Sequence, residues 1–280
     1  MELEGRVALV TGASRGVGAA TAVALAEAGC AVSCAARSTE DAPQKTPGTL
    51  DATVRRITDA GGRAVAVPTD LSDPDQVEAM VTTTVEALGR LDVLVNNAAI
   101  TFVGDLDIPE RRHDLVMRVN LDAPRQAIRA ARPHLADGGG AVVNLSSLAA
   151  LVPYPGLMSY GISKLGLEHL TLDAARQLAP EGVAVNCFRI DVAVASEGFV
   201  ANTPDADRST WEPCEVAAEG LLWMLRQPPS YTGRRESMWH LRHREGIMRS
   251  RAEAQVDSPP TPTELGEGFQ DFGDTVFVDA

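Results

Sequence analysis

Short β-branched, apolar runs alternate with Ala-rich stretches along most of the chain. The runs Val7–Thr11, Ala31–Ala35, Ala64–Val67, Val93–Asn96, Val142–Leu145 and Val183–Phe188 predict strands. Helices are predicted between them, near 16–28, 50–60, 75–88, 110–135, 159–179 and 214–226. Asp73-Pro74-Asp75-Gln76 is a start signal for one of these, with an acid at the N-cap, proline at the first helical position and glutamine three residues after the cap. The strand runs are continuously apolar rather than alternating, as a parallel sheet with helices on both faces requires. The pattern predicts an α/β protein with a Rossmann-type doubly wound parallel sheet in three layers.

Two segments break the alternation. Residues 38–49 hold two prolines and a glycine and make a longer loop than the fold needs. From about residue 245 the periodicity fades, and Ser258-Pro259-Pro260-Thr261-Pro262-Thr263 reads as a linker. Beyond it lie Phe269, Phe272, Val276, Phe277 and Val278, and from Arg251 to Ala280 seven acids face one base. The expected division is one catalytic domain over residues 1–244 and an acidic, proline-containing extension over 245–280, mobile or wrapped on a neighbouring subunit.

A chain of 280 residues can bury one sizeable core. Its net charge of −13 argues against binding a phosphate backbone, so no nucleic-acid partner is expected. No basic-plus-apolar leader or membrane-length apolar run is visible, so a cytoplasmic protein without a membrane partner is expected. Cys30, Cys34, Cys187 and Cys214 have no metal-ligand spacing with the five histidines, and the first three read as reduced core residues. His113, His134 and His169 fall in helical stretches, where packing or surface roles are the simpler reading.

The first strand runs into Thr11-Gly12-Ala13-Ser14-Arg15-Gly16-Val17-Gly18, which opens the first helix. Glycines there let the backbone turn sharply and approach a pyrophosphate resting on a helix N-terminus. The end of the second strand separates the two nicotinamide dinucleotides. A 2′-hydroxyl calls for an acid and a 2′-phosphate for positive charge. The chain has Ala36, then Arg37 and Ser38, with Arg15 close by in the glycine loop. NADP(H) is therefore expected over NAD; the plainer reading of Arg37 is a solvated loop charge.

Tyr160 and Lys164 lie four residues apart and share a helix face, and Ser146-Ser147 lies upstream. A phenol titrates near pH 10 and needs help to transfer protons at pH 7. One positive charge at about 4 Å supplies about 4 kcal/mol at an effective dielectric near 20, and a bound oxidised nicotinamide adds a second. The pair is a candidate proton-transfer device.

Taken together, the glycine loop, Asp70-Leu71, Asn96-Asn97-Ala98-Ala99, Val119-Asn120, Ser146-Ser147 and Tyr160-Gly161-Ile162-Ser163-Lys164 resemble the short-chain dehydrogenase/reductase family over residues 3–240. The resemblance implies that Tyr160 is the general acid/base and that Lys164 holds the nicotinamide ribose and lowers the tyrosine's pKa. It implies that Ser147, thirteen residues before the tyrosine, bonds the substrate oxygen. Asn120, forty residues before it, would hold a proton-relay water. On the cofactor side it implies Gly12, Ser14, Arg15, Gly16, Val17 and Gly18, then Arg37, Ser38, Asp70, Leu71, Asn96, Ala98 and Val192, together with Tyr160 and Lys164. Asp70 would meet the adenine, and Asn96 would line the adenosine pocket. Tyr154, with no lysine four residues on, reads as a pocket or turn residue.

The chain departs from the family after the sixth strand. Ile190-Asp191 stands where Pro-Gly usually shapes the nicotinamide loop, and Ala195 stands where a threonine often lies. Asp191 could pair with Arg189 or sit close to the nicotinamide. The altered loop and Lys45-Thr46-Pro47-Gly48-Thr49 are similar to the hydroxysteroid dehydrogenase-like subgroup, which suggests a hydrophobic alcohol or ketone substrate. Phe199, Trp211 and Met158 are candidate wall residues. The expected function is NADP(H)-dependent interconversion of hydroxyl and carbonyl, in a homodimer or homotetramer. The alternative is an NADP(H)-binding protein with little catalysis, acting as a sensor or assembly partner.

Overall fold

Among the described residues, seven strands pair in parallel, in the order β3-β2-β1-β4-β5-β6-β7. They are β1 (Val7–Thr11), β2 (Ala31–Ala36), β3 (Arg63–Pro68), β4 (Val93–Asn96), β5 (Ala141–Ser147), β6 (Ala184–Ile190) and β7 (Arg235–Ser237). The helices are α1 (Gly16–Glu27), α2 (Leu50–Asp59), α3 (Pro74–Leu88), α4 (Glu110–Met117), α5 (Ala123–Ala136), α6 (Met158–Leu178), α7 (Glu197–Asn202), α8 (Cys214–Leu225) and α9 (Met238–Glu245). This computed structural model describes residues 1–256 and residue 258. The linker-like prolines and the apolar cluster at 269–278 lie outside the described residues.

The sheet separates two cores. One packs Val17 and Leu25 of α1, Leu50 and Ile57 of α2 and Val216 and Leu221 of α8 against the strands. The other packs Val77 and Met80 of α3, Ala127 and Ile128 of α5 and Ala174 and Leu178 of α6. Helices thus cover both faces, and the expected doubly wound Rossmann fold is the one observed. The strand order reverses between β1 and β4, which opens a crevice at their carboxyl ends.

Four features differ from the sequence reading. The edge strand β3 is not buried like the others: only Val67 in it is fully covered, because an edge has a neighbour on one side alone. The single helix expected over 110–135 is α4 and α5 joined by a widened π turn, Arg118–Asp122, in which Ala123 donates to the Arg118 carbonyl. Pro124 supplies a reason, since it has no N–H to give to the Asn120 carbonyl four residues back. The third difference is β7, whose three residues pair with Cys187, Phe188 and Arg189. The fourth is the pair of short helices α7 and α9, capped by the Ser196 and Ser237 hydroxyls.

Beyond α9 the chain keeps contact with the domain. Met248 is buried, the Arg251 amide donates to Glu212 and the Ala254 amide donates to the Ser209 carbonyl. Gly220 lets this happen, because a Cβ there would lie 2.5 Å from the Met248 sulfur and 2.7 Å from Phe188 Cζ. Gly220→Ala is expected to lower stability by about 1–3 kcal/mol. In a Met248→Ala background the further loss should be clearly smaller, because the sulfur is gone. Urea denaturation of the two single variants and the double variant checks this.

Candidate active site

The glycine loop is held by the far side of the crevice. The Thr11 hydroxyl accepts the Asn97 and Ala98 amides at 3.0 and 3.1 Å, and Asn97 Nδ2 donates to the Thr11 carbonyl at 2.8 Å. A Cβ on Gly18 would collide with Asn97 Nδ2 and the Gly12 carbonyl, so only glycine lets the start of α1 approach the loop this closely. Ser14 and Val17 are buried, and α1 has no acid in its first turn. A helix N-terminus of this kind attracts anions.

At the end of β2, Ala36 is buried, Arg37 is exposed and the buried Ser38 hydroxyl donates to the Gly48 carbonyl at 2.7 Å. The Arg15 guanidinium donates to the carbonyls of Thr46, Pro47 and Gly48. Across the crevice, Leu71, Asn96 and Ala98 share one lining with Thr11 and Val119. The Asp70 carboxylate accepts the Ser72 amide and hydroxyl at 2.9 and 2.8 Å, and the Asn96 amide donates to the buried Asn144 side chain.

The proton-transfer candidates converge at the carboxyl ends of β5 and α6's first turns. Ser147 is the last residue of β5; its hydroxyl accepts the Ala149 amide at 3.3 Å and lies close enough to the Tyr160 phenol to lower its pKa. Ser146 points elsewhere, donating to Glu168 at 2.7 Å. Lys164, only 2% exposed, donates from Nζ to the Leu145 carbonyl at 2.7 Å and lies 5.6 Å from the Tyr160 ring centroid. Asn120 is buried in the π turn. Its side chain accepts the Ile100 amide at 2.8 Å and donates to the Ile100 carbonyl and to Ser163. Ser163 in turn donates to the Tyr160 carbonyl, so Asn120 is linked to the base of the tyrosine helix.

Glu168 lies beneath these residues and was not singled out from the sequence, although its spacing of four from Lys164 on one helix is visible there. Its fully buried carboxylate takes a two-point contact from Arg189, at 2.8 Å on each oxygen, and a longer one from Arg235. Asn97, which clamps the glycine loop, was likewise quoted in a motif but given no role.

Asp191 settles into a cap. Its carboxylate accepts the Trp239 amide at 3.0 Å and the Ser237 hydroxyl, at the start of α9. Burial pushes its pKa up, opposed by these two bonds and by the nearby Arg189 charge. Val192 is buried beside it, and Ala195 donates its amide to the Glu212 carbonyl. Of the wall candidates, Phe199 is 42% exposed and stacks on Trp211 at 4.5 Å, and Met158 is half-buried. Tyr154 and Val103 stand exposed on two loops joined by the Gly104 amide and the Gly156 carbonyl.

The electrostatics separate the pair. Burial lowers the Lys164 pKa from 10.5 to about 8, with Glu168 and Cys187 opposing. Burial raises the Tyr160 pKa, with the Ser147 hydroxyl opposing. Burial therefore outweighs the Ser147 hydroxyl, and the phenol titrates above its ordinary value rather than below it as the simple pairing with Lys164 leads one to expect.

Residues 6–196 match the family model of the short chain dehydrogenases. The chain belongs to that family. It is 40% identical over 202 residues to a 3-oxoacyl-(acyl-carrier-protein) reductase of Staphylococcus aureus, covering 71% of this chain and 76% of the relative. It is 31% identical over 236 residues to hydroxysteroid dehydrogenase-like protein 2 of Bos taurus, covering 83% of this chain and 56% of that one. Among solved structures, a short chain dehydrogenase from Burkholderia cenocepacia in complex with NADP is similar at a TM-score of 0.75 and 33% identity, covering 85% and 97% of the two chains. This short-chain dehydrogenase is thus an NAD(P)-dependent oxidoreductase. The dinucleotide fits the residues present, since the loop offers an acid-free helix N-terminus and the close backbone approach that Gly18 permits. Among the described residues no cluster suited to a metal is found, and no helix is long and apolar enough to cross a membrane.

The depressed Lys164 pKa has a stability consequence. Between about pH 8 and 10.5 the unfolded chain keeps a proton that the folded chain has lost, so stability from this group rises with pH across that window. Lys164→Met removes the dependence. The stability of wild type relative to Lys164→Met is expected to improve by about 2 kcal/mol between pH 7 and pH 10, measured by urea denaturation at both pH values.

Proposed function

We propose that this short-chain dehydrogenase interconverts a hydroxyl and a carbonyl on a hydrophobic substrate with NADP(H), using Tyr160 as general acid/base. The observation that carries the reading is the buried Lys164, held on the Leu145 carbonyl 5.6 Å from the Tyr160 ring centroid, with the Ser147 hydroxyl acting on the same phenol. When bound, the nicotinamide supplies or accepts the hydride at its C4. Ser147 donates to a substrate oxygen and holds it against Tyr160. Tyr160 then gives that oxygen its proton in reduction and takes it in oxidation. The Lys164 ammonium favours the phenolate that results and offers donors to the ribose hydroxyls. Asn120 keeps the π turn locked to Ile100 and Ser163, and its main-chain carbonyl, which Pro124 cannot serve, is the group we assign to a relay water.

Arg15, Arg37 and the missing acid at Ala36 support NADP(H) over NAD(H). Gly12, Ser14, Gly16, Val17 and Gly18 would take the pyrophosphate, Ser38, Asp70, Leu71, Asn96 and Ala98 the adenosine side, and Val192 the nicotinamide side. Exposed Phe199, Tyr154 and Val103 support an apolar ketone or alcohol as substrate. Exposed Ile162 and Leu165 on α6 support packing against a second copy as a homodimer or homotetramer. The free, buried Cys30, Cys34 and Cys187 support a reducing, cytoplasmic setting. The reading of a binding protein with little catalysis gains nothing from Asp191, whose carboxylate is spent on Ser237 and Trp239.

Turnover of NADPH and NADH with a panel of apolar ketones tests the proposal, which is abandoned if neither cofactor is consumed. Tyr160→Phe is expected to lower kcat by about 10²–10⁴-fold while dinucleotide binding persists. Alcohol oxidation should rise with pH and ketone reduction should fall, as Tyr160 loses its proton. Phe199→Ala is expected to raise KM for bulky apolar ketones by about tenfold, through the loss of an apolar contact, and to leave small ketones unchanged.

A further inference from the structure

We propose that the loop at 38–49 sets the preference for a 2′-phosphorylated dinucleotide, with Gly48 as the specificity-determining residue that holds the Arg15 guanidinium in place. The inference rests on the NADP(H) reading above and assigns to the loop a role that the basic residues alone do not explain.

The guanidinium sits in a row of three consecutive carbonyls. Nε donates to Pro47 at 2.6 Å, and Nη2 donates to Thr46 and to Gly48 at 2.9 Å each. Nη1 takes part in none of these bonds, so one end of the fork is fixed by backbone while the other keeps its donors for an anion. A planar fork fixed in this way loses less freedom when it meets an anion than a mobile side chain does.

The cradle depends on a loop conformation that only glycine reaches at residue 48. Its φ is +105°, and a Cβ there would lie 2.5 Å from the Ser14 carbonyl oxygen and 2.8 Å from Arg15 Cβ. The loop is anchored on both sides of this contact. The Ser38 hydroxyl donates to the Gly48 carbonyl, the Leu50 amide donates to the Ser38 carbonyl at 2.8 Å, and the Thr53 hydroxyl donates to the Ala13 carbonyl at 2.8 Å. The first two bonds close the loop on itself, and the third ties the start of α2 to the glycine loop.

Charge explains why such a device is useful. Glu197, at the start of α7, acts on Arg15 as an opposite charge, and Arg37 acts on it as a like charge. A free Arg15 would be drawn to Glu197 and repelled by Arg37, which would neutralise the site or pull it apart. The carbonyl row holds Arg15 against both.

The test is calorimetric binding of adenosine 2′,5′-bisphosphate and of AMP to the ligand-free full chain. The two differ only by the 2′-phosphate. Wild type is expected to bind the bisphosphate at least about tenfold more tightly, the value of one charge-assisted contact. Gly48→Ala should reduce bisphosphate affinity by about tenfold and change AMP affinity less than about twofold. Arg15→Lys keeps the charge but cannot span three carbonyls, and it should show the same selective loss. It carries the test if Gly48→Ala does not fold. Equal weakening of both ligands, or no change in either, overturns the assignment and leaves Arg15 a strut for its loop. If wild type itself binds the two ligands equally, the NADP(H) reading falls first, and the assignment falls with it.

Discussion

A positive charge kept out of water at the carboxyl ends of the strands is the constraint around which this site is arranged. The Lys164 ammonium has the Leu145 carbonyl for a partner and almost no solvent. Stripping an ion of water costs several kcal/mol unless other charges compensate. Compensation comes from one helical turn further along α6, where Glu168 sits at the same spacing that separates Lys164 from Tyr160. Glu168 cannot stand alone either, and it is matched by Arg189 and Arg235. The register of β5 against β6 sets Ser146 beside Arg189, so one carboxylate takes both. Shifting that register by one residue would expose the lysine's counter-charge and turn Ser146, instead of Ser147, toward the phenol.

The replaced Pro-Gly finds its physical answer in the same region. A loop shaped by glycine relies on backbone freedom, whereas this loop is fixed by side chains. Asp191 caps the start of α9, and Glu212 binds Arg242 and the Arg251 amide while its backbone pairs with Ala193 and Ala195. The covering segment is therefore tied to residues that follow the main run of alternating strands and helices. Side-chain clamps of this kind hold a loop rigidly at the cost of burying acids, which is tolerable only because each acid has two or more donors.

Much of the architecture could be read from the chain because its signals are local. Continuous apolar runs marked six strands to within two residues at each end. Asp73-Pro74-Asp75-Gln76 marked the start of α3, where the Asp73 carboxylate accepts the Asp75 amide as the cap predicted. Strand β7 and helices α7 and α9 escaped, since three to eight residues carry too little periodicity and owe their form to β6, Ser196 and Ser237. The edge position of β3 escaped for a related reason, because its apolar run looks like any other until the neighbours are known. In the site, residue types and intervals marked Asn120, Ser147, Tyr160 and Lys164, but Glu168 and Asn97 had no distinguishing chemistry of their own.

The sequence by itself determined the doubly wound fold, the place of the glycine loop and the candidate proton-transfer pair, since each follows from spacing along one strand, one turn or one helix. Only the tertiary structure decided what surrounds them. It assigned Arg15 to three carbonyls of a distant loop, Asp191 to a helix cap and Ser146 to a buried carboxylate. It also decided the sign of the pKa change on Tyr160, where desolvation exceeds the opposing effect of the Ser147 hydroxyl. These outcomes depend on distances across the sheet and on exclusion of water, and both arise only when residues far apart in sequence are packed together.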